Sequence, residues 1–297
     1  MFFRISHRTR YTYTDRVFLE AQTLRLVPRT DAAQRCHSFS LELAPHFAGM
    51  AHIHDLDGNP AVQVWFDRLC DYFEVTTHAV VETFCTNPFN FLLTVSEELP
   101  FEYPAEMQTF LQPFLAQKSL HSDVAAFSKR IAEESNEEIM PFLSNLTIWI
   151  FNNVEQIVRN EGNAYESHIT LRSCLGSCRD TAVLFMDACR ARGLAARFVS
   201  GYVLYTGTAE TERHLHAWAE VYLPGAGWRA YDPSRGLAVA EAHIALASGY
   251  TPSLASPVSG VYRSNNARSE LSFFITLEEF PTLEAALGQE KRINAAL

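Results

Sequence analysis

The sequence predicts an α+β protein in which an antiparallel, β-rich stretch precedes a core of helices and a sheet. Three observations carry that prediction. Residues 1–95 alternate apolar and polar side chains in short runs broken by turn residues, the period of half-buried strands. Helical spacing sets in only after a stretch with several prolines, from Pro88 to Pro113. Further on, a helix that opens on a cysteine is followed by a two-stranded hairpin carrying a histidine and an aspartate. The divisions that follow are a β-rich domain over 1–95, a linker over 96–120, a core over 121–240 and a C-terminal extension over 241–297.

In order, Tyr11, Tyr13 and Val17 fall in one strand and Leu24 and Leu26 in another that stops at Pro28. Phe39, Leu41 and Leu43 alternate up to Pro45, and Asp57-Gly58-Asn59 is a tight-turn signal between strands at 51–56 and 62–66. A further strand spans 73–81, so this half reads as a sandwich or strongly curved sheet that supports the core. Helices are predicted over 122–134, with Asp123 in the first turn, and over 140–159. In the second, Phe142, Leu146, Trp149, Ile150 and Val154 form an apolar stripe. The charge run Glu133, Glu134, Glu137 and Glu138 between them reads as solvated. Beyond Gly236 the pattern weakens to a short helix at 238–247, a loop at 248–260 and a returning strand at 271–277.

The stretch around Cys178 carries the chemistry. Ser177 suits an N-cap, Asp180 three residues later is its reciprocal acidic partner, and Gly193 stops the helix. Arg190 and Arg192 suit the negative end of its dipole. Cys178, Ala182, Phe185 and Cys189 share one face of an almost wholly apolar helix, so it belongs inside the molecule. A thiol on the first turn meets unpaired backbone N–H groups and the positive end of the macrodipole, both of which favour thiolate.

Residues 214–223 alternate as a strand, with His216, Trp218, Glu220 and Tyr222 on one side. Residues 224–227 make a turn, and the returning strand ends at Asp232 before Pro233. The even numbers of His216 and Asp232 allow both onto one face. Their Cβ atoms would lie about 4.5–5.5 Å apart if directly opposed and about 7–8 Å apart on a diagonal, with direct pairing the better arrangement. Cys178, His216 and Asp232 are therefore the candidate nucleophile, base and orienting carboxylate.

Other residues have plainer roles. Cys36, Cys70, Cys85 and Cys189 read as core or surface thiols, Cys174 as a bystander and His214 as a rim residue. Trp218 either shields the His–Asp pair or fills the core, while Trp228 and Tyr231 pack. Two rival readings are structural zinc held by Cys174, Cys178, His214 and His216, and a catalytically silent peptide-binding module.

A formal charge of −10 and the lack of a basic stripe argue against nucleic acid or an anionic membrane as partner. The opening residues lack an apolar run of signal-peptide length, so a cytoplasmic protein with six reduced cysteines is expected.

The segments Gly176-Ser177-Cys178-Arg179-Asp180, Arg197-Phe198-Val199-Ser200-Gly201-Tyr202, His216-Ala217-Trp218-Ala219-Glu220-Val221-Tyr222, Gly227-Trp228 and Tyr231-Asp232-Pro233 resemble the core of the transglutaminase-like superfamily. Tyr11-Thr12-Tyr13, Leu24-Arg25-Leu26-Val27-Pro28 and Asp57-Gly58-Asn59 resemble the β-rich domain that precedes this core in bacterial members. The resemblance implies a papain-like fold and assigns nucleophile to Cys178, base to His216 and orienting carboxylate to Asp232.

It further implies acyl transfer on amides through a thioester, with hydrolysis favoured over transamidation and no metal or cofactor. The partners expected are a protein or peptide substrate and, for transamidation, an amine. Where bacterial members commonly carry a Gly-Arg-Asp-Tyr run, this chain has Ser248-Gly249-Tyr250, a departure at the substrate rim.

Overall fold

The computed structural model describes residues 1–94, 98–116, 120–159, 162–204 and 214–288 of the chain. Its N-terminal part consists of β1 (Phe2–Leu19), β2 (Gln22–Leu24), β3 (Gln34–Ala44), β4 (Gly49–His54), β5 (Pro60–Trp65) and β6 (Leu69–Thr83). Then come α1 (Ala105–Leu115), α2 (Ser122–Glu134), α3 (Ile139–Asn153), β7 (Glu155–Gln156), α4 (Ser167–Ser173), β8 (Leu175–Gly176) and α5 (Cys178–Arg190). The chain closes with β9 (Ala196–Val203), β10 (His216–Leu223), β11 (Gly227–Asp232), β12 (Leu237–Ala238), β13 (His243–Gly249), β14 (Val258–Ser259), β15 (Tyr262–Arg263), β16 (Ser269–Phe280) and α6 (Leu283–Gly288). Residues 205–213 lie outside the described residues. Among the described residues no helix is long and apolar enough to cross a membrane.

The fold is the expected α+β arrangement. The long strand β1 pairs with β6 on one side and with β16 on the other, so the returning strand completes the N-terminal sheet. A second sheet in the order β14-β2-β5-β4 shares its core: Phe3, Ile5, Phe73 and Val75 pack with Leu24, Val62 and Val64. The core sheet runs β12-β11-β10-β9-β13, antiparallel throughout. Ala217, Ala219, Val221 and Leu223 of β10 lie in one cluster with Ala182, Phe185, Ala188 and Cys189 of α5. Tyr202, Ile244 and Leu246 instead join the N-terminal core. With both faces covered, Trp218 and Glu220 are buried although they alternate with the helix-facing residues.

Three local expectations are corrected. Helix α3 stops at Asn153, because the backbone of Glu155 and Ile157 bonds instead to Cys174 and Gly176 across β7 and β8. The predicted linker contains α1, with Pro113 inside it. The short helix expected at 238–247 is replaced by strand β13, so the core sheet runs past residue 240. Alanines favour a helix locally, but a free sheet edge and two apolar pockets for Ile244 and Leu246 outweigh that weak preference.

Strand β13 lies at the edge of the core sheet, and side chains of the N-terminal domain satisfy its outer backbone groups. The Gln34 amide donates to the carbonyls of Ala245 (2.9 Å) and Arg29 (2.8 Å) and accepts from the Ala245 N–H (2.7 Å). Asn59 does the same at Ser248, donating to its carbonyl (2.7 Å) and accepting from its N–H (2.8 Å). Two primary amides thus act as single-residue strand partners. Replacing Gln34 by leucine keeps the shape but takes the partner from the buried Ala245 N–H and from the Arg29 carbonyl, while the Ala245 carbonyl keeps the Arg29 N–H at 3.0 Å, so urea denaturation should show a loss of about 3 kcal/mol. A loss below about 1 kcal/mol would show that water replaces the amide without penalty.

Candidate active site

Helix α5 presents Cys178 at its first position, and the local sequence explains why the helix begins there. The Ser177 N–H donates to Asp180 Oδ2 at 2.7 Å, and the Ser177 hydroxyl donates to the same oxygen at 2.7 Å. Asp180 is fully buried and also accepts from the Tyr165 N–H (2.7 Å) and from Arg159, 2.8 Å to each oxygen. Burial alone would raise its carboxyl; these donors outweigh burial and hold it below the usual carboxylate range. Arg179 donates to the carbonyls of Arg159 (2.8 Å) and Gly162 (2.9 Å). The two residues after the thiol therefore tie the segment flanking residues 160 and 161 to the start of α5. At the far end, Gly193 has φ +80°, and a Cβ there would run into the Phe101 carbonyl oxygen.

His216 starts β10 and lies within hydrogen-bond reach of the Cys178 thiol. Its Nε2 is 2.6 Å from Asp232 Oδ2. Both His216 and Asp232 are buried. The hairpin register pairs Ala219 with Tyr231, which sets Asp232 opposite Trp218 and diagonal to His216. Direct pairing was the preferred arrangement; the diagonal serves because a full histidine side chain spans the offset.

Burial lowers the affinity of His216 for a proton, but the charge and hydrogen bond of Asp232, aided by Cys178, override it and hold the ring protonated well above the ordinary range. Asp232 is pushed the other way: burial opposes ionisation, and His216 and then His243 keep it a carboxylate. Its Oδ1 accepts from the Ser234 hydroxyl (2.7 Å) and N–H (3.1 Å). A half-buried thiol beside a buried imidazolium that is backed by a fully satisfied carboxylate is the arrangement that readies sulfur to attack an electrophilic carbon.

Trp218 covers this group. Its ring stacks beside His216 with centroids 6.1 Å apart and meets His243 edge-on at 5.2 Å, and it is 1% exposed. Of the two roles open to it, it performs both, excluding water and filling the core. Gly201 makes room, since a Cβ there would fall 2.6 Å from Trp218 Cη2. Beneath the same strand face, Glu220 binds Arg197 Nε (2.6 Å) and Arg29 (2.7 Å), and Arg197 lies over the Trp228 ring at 4.1 Å.

His243 escaped the sequence reading. Its Nε2 sits 2.9 Å from the same Asp232 oxygen that His216 contacts. The signal available was weak: Ile244 and Leu246 alternate with small residues ahead of Gly249, a strand period written mostly in alanine.

The zinc set is not assembled. Cys174 is exposed at the end of α4 with its thiol on the Leu171 carbonyl, and His214 packs edge-on against Phe273 at 5.2 Å. Of those four residues only Cys178 and His216 come together. The described residues do gather His216, Asp232 and His243 with donor atoms within 4.8 Å. Two ligands of a tetrahedral zinc stand roughly 3.3 Å apart, each about 2.0–2.2 Å from the metal. Separations of 2.6 and 2.9 Å from one oxygen are those of charge-assisted hydrogen bonds instead.

Residues 3–82 match the bacterial transglutaminase-like N-terminal region, and residues 125–233 match the transglutaminase-like superfamily. The chain belongs to the transglutaminase-like superfamily. The superfamily match ends one residue after Asp232, so β13 and His243 lie beyond it. An uncharacterised protein of Mycobacterium leprae is 27% identical over 270 residues, covering 89% of this chain and 94% of its own. Uncharacterised proteins of Mycobacterium bovis and Mycobacterium tuberculosis are 24% identical over 305 residues, covering 94% and 93%. A crystal structure of a candidate cysteine protease from Cytophaga hutchinsonii shares the fold, with a TM-score of 0.65 and 20% identity across 94% of this chain and 98% of that one. The transglutaminase-like core is a cysteine-based catalytic fold, and the candidate site occupies it.

Proposed function

We propose that this chain is a cysteine-dependent acyl-transfer enzyme acting on amide bonds, with water as its usual acceptor. One observation carries the reading: His216, 2.6 Å from the fully buried Asp232, is held protonated by that carboxylate with Cys178 contributing, which links the three residues in one group. Cys178 acts as nucleophile, His216 as acid and base, and Asp232 as the group that orients and charges the ring.

The thiolate attacks the amide carbonyl, and backbone N–H groups at the start of α5, Cys178's own included, face the oxyanion because the first turn leaves them without helical partners. The His216 imidazolium gives its proton to the departing amine as the C–N bond breaks, leaving a thioester. The now neutral ring takes a proton from water, which attacks the thioester to release the acid and restore the thiolate–imidazolium pair. None of these steps calls for a metal or an organic cofactor. An amine in place of water gives transamidation by the same path.

One comparison supports a protein or peptide substrate. The Cytophaga hutchinsonii structure, described as a candidate cysteine protease, is consistent with cleavage. The test incubates the protein with a peptide and protein amide library, with and without a primary amine, and follows products by mass spectrometry. Free acids and an acyl adduct on Cys178 are the expected result, with amide products minor even when the amine is present. Failure of folded protein to form any Cys178 adduct would overturn the reading.

A further inference from the structure

The carboxylate of Asp232 has four donors, and the scheme above uses only one. A carboxylate offers about four lone-pair sites. Here Ser234 fills both on Oδ1, and His216 and His243 share Oδ2 at 2.6 and 2.9 Å. Asp232 has no solvent exposure and His243 hardly any, so water is not a substitute donor.

We propose that His243 is a positioning residue for the Cys178–His216 pair, acting through Asp232 by holding its carboxylate in the rotamer and charge state that His216 requires.

Three observations support this. First, the two imidazoles on one oxygen are driven apart: burial, with the nearby charges of His216 and Arg235, holds His243 below the ordinary range despite Asp232, whereas His216 is held well above it. A neutral His243 donates a hydrogen bond to Asp232 only as the Nε2–H tautomer, and it keeps that bond when His216 gives up its proton to a leaving amine. Asp232 is then never left with an unanswered buried charge. Second, that tautomer leaves Nδ1 as a bare acceptor. Among the described residues Nδ1 is buried with no hydrogen-bond partner, and the neighbouring Trp218 Nε1, a donor, is likewise buried and unpartnered. The ring is thus held by its contact with Asp232 and by packing, with no competing bond to turn it. Third, the backbone that carries His243 is held from outside the core: β13 is the edge strand that Gln34 and Asn59 fasten to the N-terminal domain. This gives that domain a stake in the geometry of the site.

The inference rests on the proposed role of Cys178, but its test needs no substrate. The rate of Cys178 alkylation by iodoacetamide at neutral pH is compared in wild type, His243→Leu, His243→Gln and His216→Ala, each held below its thermal midpoint. His243→Leu should slow alkylation about tenfold or more, the scale of one hydrogen bond to a charged group. His243→Gln, which returns an amide N–H near the Nε2 position, should recover most of the rate. Wild-type imidazole nitrogen–proton correlation spectra supply a second measurement that requires no variant, and should show His243 as the neutral Nε2–H tautomer.

The proposal fails if folded His243→Leu alkylates at the wild-type rate while His216→Ala is slow, if His243→Gln is as impaired as the leucine variant, or if His243 carries its proton on Nδ1. Should His216→Ala itself leave alkylation unchanged, the activated nucleophile fails first, and the spectra still decide whether His243 donates to Asp232.

Discussion

Cys178→Ala should reduce amide turnover to background, and His216→Ala should cost nearly as much. Losses of about 10⁴–10⁶-fold in kcat are typical when a nucleophile or its base is removed from such a group. The reason is that the two residues act as one unit. Without the sulfur there is no thioester, and without the ring the sulfur loses its positive partner and the leaving amine its proton donor. The double variant should therefore be little worse than either single one. Thermal midpoints separate this from unfolding, because Cys178 lies at the mouth of the site and its truncation should leave the transition almost unchanged. Turnover within about tenfold of wild type in well-folded Cys178→Ala would move the nucleophile elsewhere.

Glu220 governs stability as Cys178 governs chemistry. Its carboxylate lies in the interior between Arg197 and Arg29, a junction where β10 of the core meets the N-terminal domain. Burial by itself would raise its carboxyl, but the two guanidiniums bring it down from 4.5 to about 2. Glu220→Gln leaves the buried Arg197 without its carboxylate partner and Arg29 with only Asp31, at 3.2 Å, which should destabilise the fold by about 3–5 kcal/mol in urea denaturation at neutral pH.

The sign of the pH effect follows from the depressed folded value. The contribution is fully present above the unfolded carboxyl range near 4.5 and is lost as pH falls toward 2, a swing of about 3 kcal/mol. Wild type should therefore lose stability steeply across that window, and Glu220→Gln should start lower and fall less. Parallel acid limbs for the two proteins would show that other carboxylates carry the transition.

Much of this was readable from local pattern. The start of α5 was legible because an N-cap serine, an acid three residues on and an apolar run are all short-range signals, and the structure adds only that Asp180 also recruits Arg159 and Tyr165. Strand alternation placed His216, Trp218 and Glu220 on one face, and Pro233 marked the end at Asp232. What local pattern missed depends on partners far along the chain. The end of α3 is set by a ladder to residues about twenty positions later, and β13 is a strand because β9 and two amides from the N-terminal domain complete its hydrogen bonds.

Composition and spacing by themselves determined that this is an α+β chain with a thiol at a helix start and a histidine and a carboxylate on one hairpin, since each of those is settled within some twenty residues of sequence. Only the tertiary structure decided that Asp232 answers to His216 on a diagonal, that it has a second imidazole at its side, and that Gln34 and Asn59 hold the strand bearing it. A hydrogen bond between groups that distant is chosen by which surfaces bury well together, and no run of neighbouring residues records that choice.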